Sequence, residues 1–179
     1  MLNWSRKNAE QQAADTIYAV IVAQARHPGF YEKAGVPDSV DGRFELLILH
    51  AFLYFYRLKG EDNKARSMGQ MVFDTMFSDL DHNLREMGVG DMSIGKKVRK
   101  MSSAFYGRTS AYDDGLEVYA SQPEVLAAAV NRNMFADGGG DQSAVEIAAY
   151  MQACVENFRA QETSSLLEGR FTFAQPEWK

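Results

Sequence analysis

The sequence predicts an all-α protein, a single globular bundle of about six to seven helices. Three observations lead there. Apolar residues recur at three- and four-residue steps over most of the chain, glycines and prolines fall between those stripes, and no pair of alternating runs suggests paired strands. With 46% apolar residues among 179, the chain can bury a sizeable core. Residues 1–168 are assigned to the helical domain and residues 169–179, which show no helical period, to an extended C-terminal tail.

The first helix is expected over about Ala9–Arg26, with Ile17, Val20, Ile21 and Ala25 as its stripe and Pro28-Gly29 as its end. A loop is expected from Gly29 to Asp41. Asp41 then caps a second helix, Phe44 to Leu58, which is apolar nearly all round and so belongs at the centre of the core. The third helix, about Asp62–Met87, carries the stripe Met68, Met71, Val72, Met76, Leu80, Leu84 and Met87, and Gly88-Val89-Gly90 stops it. Asp91 or Ser93 caps a fourth, Ile94 to Phe105, which Tyr106-Gly107 ends. Three more helices follow over about 110–120, 123–135 and 142–162. Pro123 suits the first turn of the second of these, and Gly138-Gly139-Gly140 separates it from the last.

Several classes are excluded early. The greasiest segment, Leu46–Tyr56, is 11 residues with His50 inside it, too short for a spanning helix of about 20. The polar run Asn8–Gln12 stands where a signal peptide would need apolar residues. Cys154 is the single cysteine, so no internal disulfide forms and a reducing compartment is expected. The net charge is −5 and unevenly spread: residues 1–112 hold 15 Lys/Arg against 13 Asp/Glu, and residues 113–179 hold 4 against 11. An acidic total disfavours DNA as a partner, but Lys96, Lys97, Arg99, Lys100 and Arg108 form a local basic patch with no acid between Asp91 and Asp113.

Each candidate motif stands or falls on its chemistry. Gly90–Lys97 fits G-x-x-x-x-G-K, yet Lys97 stands where the magnesium-binding Ser or Thr belongs and a helical stripe precedes it, so a phosphate loop is rejected. Asp79, His82 and Glu86 share one helix face, but a di-iron bundle needs a second acid-x-x-His segment that this sequence lacks; neither metal nor cofactor is expected. His50 is either a hydrogen-bonded core residue or a ligand contact, and Cys154 sits on an apolar stripe as a structural thiol. No nucleophile–base spacing is visible, and no enzymatic activity is expected. The basic patch is either a solvated helix surface or a dock for an acidic partner, anionic lipid or RNA phosphates. Phe105 and Tyr106 beside it either anchor a protein partner or pack inward.

Several blocks then fit one pattern: Arg26-x-Pro28-x-Phe30-Tyr31, Gly35-Val36-Pro37-Asp38, Asp41-Gly42-Arg43-Phe44-Glu45-Leu46 with His50, and Arg57-Leu58. Phe77-x-Asp79-x-Asp81-x-x-Leu84-Arg85-Glu86-Met87-Gly88-Val89-Gly90-Asp91 follows, then Lys96-Lys97-Val98, Met101 and Ala104-Phe105-Tyr106-Gly107-Arg108. Over roughly residues 14–162 the chain resembles the ubiquinol–cytochrome c chaperones, assembly factors for cytochrome b of the respiratory bc1 complex. The resemblance implies an all-helical, non-enzymatic assembly factor that holds newly made cytochrome b or another bc1 assembly intermediate. It also implies, as partners, a small protein and the ribosome.

The missing N-terminal extension favours an alphaproteobacterial-type cytoplasm, peripheral to the inner membrane, over a mitochondrion. A chaperone of this kind needs an adaptable apolar groove, for which Met68, Met71, Met76, Met87, Met92 and Met101 are candidates. Within the family signature, Asp79, Arg85, Glu86 and Asp91 are expected to fix the turn after the third helix by capping and charge pairing, with Arg43 pairing to one of them. Lys96, Lys97, Arg99, Lys100, Phe105, Tyr106 and Arg108 are the candidate partner-binding residues.

Overall fold

The computed structural model describes residues 2–135 and 140–178. Among these the backbone forms eight helical segments and no strand: α1 (Leu2–Ala25), α2 (Pro28–Glu32), α3 (Val40–Arg57), α4 (Asn63–Glu86), α5 (Asp91–Glu117), α6 (Pro123–Met134), α7 (Asp141–Arg159) and α8 (Thr163–Leu166). The all-α class and the bundle follow from the sequence as expected. Two segments, α2 and α8, are only five and four residues long.

α3 is the central element, touching α1, α5, α6 and α7. All ten residues from Glu45 to Tyr54 are buried, which its all-round apolar pattern requires. α1 and α4 pack as a pair beside it, and α5, α6 and α7 wrap the rest. Ile17 and Ile21 of α1 and Leu46, Ile48, Leu49 and Leu53 of α3 are fully buried.

Several boundaries differ from the sequence expectation. The expected loop after Pro28 contains α2, because proline at the first helical position fixes φ and needs no N–H partner. His27 caps it, its Nδ1 accepting from the Gly29 amide at 3.1 Å. α3 is capped by Ser39 rather than Asp41: Ser39 Oγ accepts from the Gly42 amide at 3.1 Å, and Asp41 sits in the first turn, where a negative charge suits the helix dipole. Gly42 is required there, since a β-carbon would lie 2.0 Å from the Pro37 carbonyl oxygen.

α5 does not stop at Tyr106-Gly107 but runs 27 residues without a break. A lone glycine in mid-helix costs about 1 kcal/mol relative to alanine, and buried Phe105 and Tyr112 on either side hold the helix through it. Nor do Asp91 and Ser93 cap it; the N-cap position is Gly90. The seventh helix ends at Arg159, three residues early, and Gly138-Gly139 lie outside the described residues.

Other termini follow the sequence closely. Asp62 caps α4 through the Ala65 amide at 2.9 Å. The end of α4 is a Schellman turn: the Val89 amide donates to the Leu84 carbonyl at 3.1 Å and the Gly88 amide to Arg85 at 2.9 Å, with Gly88 at φ +80°.

Beyond Gly169 the described backbone forms neither helix nor strand, and it is strapped to the bundle rather than projecting from it. The Thr172 carbonyl accepts from Asn157 Nδ2 at 2.6 Å and Gln161 Nε2 at 2.9 Å, while its amide donates to Gln161 Oε1 at 3.0 Å. Phe171 stacks on Tyr54 with ring centroids 5.4 Å apart, and Phe173 meets His50 edge-on at 5.2 Å. Both phenylalanines are buried.

Candidate docking groove

The first turns of α3, the end of α4, the middle of α5 and the end of α6 converge on an open groove of about 890 Å³. Phe44, Leu84, Met101, Ala104, Met134 and Phe135 supply its apolar lining. Lys97, Lys100 and Arg132 stand along it as exposed cations. A second depression of about 340 Å³ runs from it toward α1, sharing Val40, Phe44, Leu84, Met87 and Met101. Val40 and Met87, at the junction of the two, are 57% and 58% exposed. Isolated apolar side chains at a surface are ordinary; a continuous line of them over two joined depressions marks a binding surface.

The groove wall is held by one ion pair. Glu45, buried on α3, accepts from Arg108 Nε and Nη2 on α5, both at 2.5 Å, a bidentate fork that ties the two helices together. Burial holds the Glu45 carboxyl above its ordinary pKa, the guanidinium offsetting only part of that rise. Arg108 is thereby removed from the basic patch: its guanidinium is committed to Glu45.

The rest of that patch divides between two faces. Lys97 and Lys100 line the groove with Met101 and Ala104, whereas Lys96 and Arg99 are exposed without lining it. Among the described residues none of these four cations has an ion-pair partner. Phe105 does not serve as an exposed anchor. It is 5% exposed, edge-on to Phe55, Phe73 and Phe77, because its position on α5 turns toward the core. Tyr106, one residue on, is 61% exposed.

The signature residues separate in the same way. Arg85 donates to Asp81 at 2.7 Å and to Asp91 at 2.5 Å, bridging the elbow between α4 and α5 as expected. Arg43 does not join them. It pairs with Asp38 at 2.7 Å, the nearer acid in the preceding loop, and holds that carboxyl below its ordinary pKa. Asp79 accepts from the Tyr18 hydroxyl at 2.8 Å and from Asn83 at 3.0 Å, while Glu86 pairs with His82 at 3.2 Å. Among the described residues no group of three or more His, Cys, Asp or Glu could hold a metal ion.

His50 is the hydrogen-bonded core residue. Its Nδ1 donates to the Leu46 carbonyl at 2.7 Å, and its Nε2 accepts from the Tyr150 hydroxyl at 3.0 Å. Gln24 Nε2 in turn donates to Tyr150 Oη at 3.0 Å. The Leu46 carbonyl requires the proton on Nδ1, which leaves Nε2 of the neutral ring free to accept from Tyr150. Full burial accordingly lowers the His50 pKa to about 4. Cys154 is buried, and burial raises its thiol to about 11, which keeps it unreactive at neutral pH.

Of the methionines expected to build a groove, Met87 and Met101 line it, Met68 and Met76 are core, Met71 lies in a separate cleft against α1, and Met92 is fully exposed outside it. Met134, Phe135, Arg132 and Val40 join the lining without any signal in the sequence. Their neighbourhoods carry no special pattern, and only the convergence of four helices brings them together.

Fold and site together define an all-α protein with a long, largely apolar groove on its surface, along which Lys97, Lys100 and Arg132 have no ion-pair partner among the described residues. The chain belongs to the ubiquinol-cytochrome C chaperone family, whose model matches residues 32–173. It is 28% identical over 122 residues to "Ubiquinol-cytochrome-c reductase complex assembly factor 1" of Xenopus laevis, covering 68% of this chain and 60% of that one. It is 32% identical over 109 residues to "Protein CBP3, mitochondrial" of Saccharomyces cerevisiae, covering 59% of this chain and 32% of that one. Among solved structures, the Cbp3 homolog from Brucella abortus matches with a TM-score of 0.86 and 36% identity, covering 97% of this chain and 95% of that one. The chain thus spans 60% or less of these two curated relatives, and nearly all of the bacterial structure.

Proposed function

We propose that this protein is a non-enzymatic assembly factor for the ubiquinol–cytochrome c reductase complex, holding an apolar segment of cytochrome b or of an assembly intermediate in the α3–α4–α5–α6 groove. The observation that carries the reading is the joined apolar groove with its cationic edge, in a chain of this family. A membrane subunit exposes apolar helix surface before its partners arrive, and such a surface needs temporary cover that can adapt in shape. Met87, Met101 and Met134 supply that adaptability through unbranched, polarizable side chains. Lys97, Lys100 and Arg132 fix orientation by meeting acidic residues or carbonyls that flank the apolar segment.

No described helix is long and apolar enough to cross a membrane. We place the protein at the cytoplasmic face of the inner membrane, as a peripheral component.

Co-purification of cytochrome b with the tagged protein tests this. Met101→Asp puts a charge on the apolar floor and should reduce capture by about tenfold or more, as for loss of a central interface contact. Lys97→Glu/Lys100→Glu should reduce it less and make the residual capture less sensitive to salt. Undiminished capture by a folded Met101→Asp variant would remove the groove from the account.

A further inference from the structure

We propose that the outward ridge of α5 is a docking surface for an anionic lipid bilayer. Met92, Lys96, Arg99, Ser103 and Tyr106 follow one another at four- and three-residue steps, so they share one face of the helix. All five are exposed. From Met92 to Tyr106 the ridge is about 21 Å long at 1.5 Å per residue. It is turned away from the groove, which Lys97, Met101 and Ala104 face.

Charge complementarity selects the occupant. The whole chain carries −5, yet no acid occurs between Asp91 and Asp113, and Lys96 and Arg99 have no ion-pair partner among the described residues. Asp91, at the head of the ridge, pairs with Arg85, which it shares with Asp81. A negatively charged membrane therefore repels most of the molecule and attracts this face, which fixes orientation as well as affinity.

The apolar side chains favour lipid over nucleic acid. Met92 is 101% exposed, standing free of the protein beside the cations, and Tyr106 is 61% exposed at the far end. A protruding thioether has no role against phosphates but inserts readily among acyl chains. Tyrosine prefers the headgroup level, and lysine and arginine stems lie along apolar surface with their charges in water. Docking this way leaves the groove, on the other side of α5, open for a client. The proposal rests on the peripheral placement above.

Flotation of the purified full chain with vesicles of phosphatidylcholine alone, or mixed with phosphatidylglycerol, tests it without any client, so its failure leaves the groove reading intact. Binding is expected only to the mixed vesicles and should weaken with salt. Lys96→Glu/Arg99→Glu should lower it at least about tenfold, and Met92→Ser should lower it several-fold. The control Lys64→Glu/Arg66→Glu changes charge equally at exposed positions of α4 and should bind as wild type. Equal binding to neutral vesicles, equal loss in the control, or unchanged binding by the ridge variant would overturn the proposal. Ribosomal RNA bound through the ridge in the absence of vesicle binding would overturn it too.

Discussion

His50 and Glu45 lie five residues apart on α3 and show how a buried polar group is retained in two different ways. His50 is neutral and satisfied on both nitrogens by Leu46 and Tyr150. In the unfolded chain its pKa is near 6.5, and in the fold it is about 4. Between those values the unfolded state binds more protons, so this residue's contribution to stability falls as pH drops from about 6.5 to 4. The full difference is about 3 kcal/mol. Urea unfolding at pH 7 and pH 4.5 should show a loss that His50→Gln largely lacks; equal losses in both proteins would place the cause elsewhere.

Glu45 instead remains paired. Arg108→Ala leaves a carboxylate enclosed without its cation and should destabilise the fold by about 3–5 kcal/mol. That penalty should shrink at acid pH, where protonated Glu45 needs no counter-charge. A variant of wild-type stability at neutral pH would contradict the ion pair's role. Neither partner is identifiable from sequence: Glu45 stands at the edge of an apolar run, and Arg108 looks like one more member of a basic patch.

At the scale of elements, periodicity finds five of the six long helices as single elements, because each buries a stripe, and divides α5 into two. It fails where no stripe can form or where a local breaker misleads. α2 has five residues, too few to show a period, and only Pro28 hints at it. In α5 the misleading breaker is Gly107, which sits on an open stretch of the helix: a β-carbon there would meet no neighbouring atom within 4 Å. Gly107→Ala should therefore stabilise the protein by about 0.5–1 kcal/mol, a gain available only if the helix is continuous.

Gly115, two turns later, gives the opposite result. A β-carbon there would sit 2.8 Å from Leu126 Cα, where α5 and α6 approach closely. Gly115→Ala should cost about 1–3 kcal/mol through overpacking. Thermal unfolding of the two variants side by side checks both; matching shifts would contradict this account of α5.

For the whole molecule, the sequence makes the fold class legible and conceals the groove. Fold class depends on patterns repeated within each helix, whereas the groove draws on four helices separated by up to about 90 residues of chain, and no local pattern announces their convergence. The basic run is visible, but its division into a groove edge and an outward ridge depends on which way α5 turns. The C-terminal strap is legible as a segment without helical period, though not as packing. Phe171 and Phe173 close the core over Tyr54, His50 and Phe158. Phe171→Ala should cost about 3–5 kcal/mol, the range for emptying a buried aromatic site. A loss below about 1 kcal/mol in urea titration would show that the strap is dispensable.

The central claim is that this groove, and no other surface, holds the client. Photocrosslinking in cells tests it directly, with a photoreactive residue placed at Val40, Met87 or Met101 in the groove and at Val145, 52% exposed on α7, as the control. The account predicts cytochrome b crosslinks from the three groove positions and none from position 145. Equal crosslinking from Val145, or crosslinking from that position alone, would contradict it.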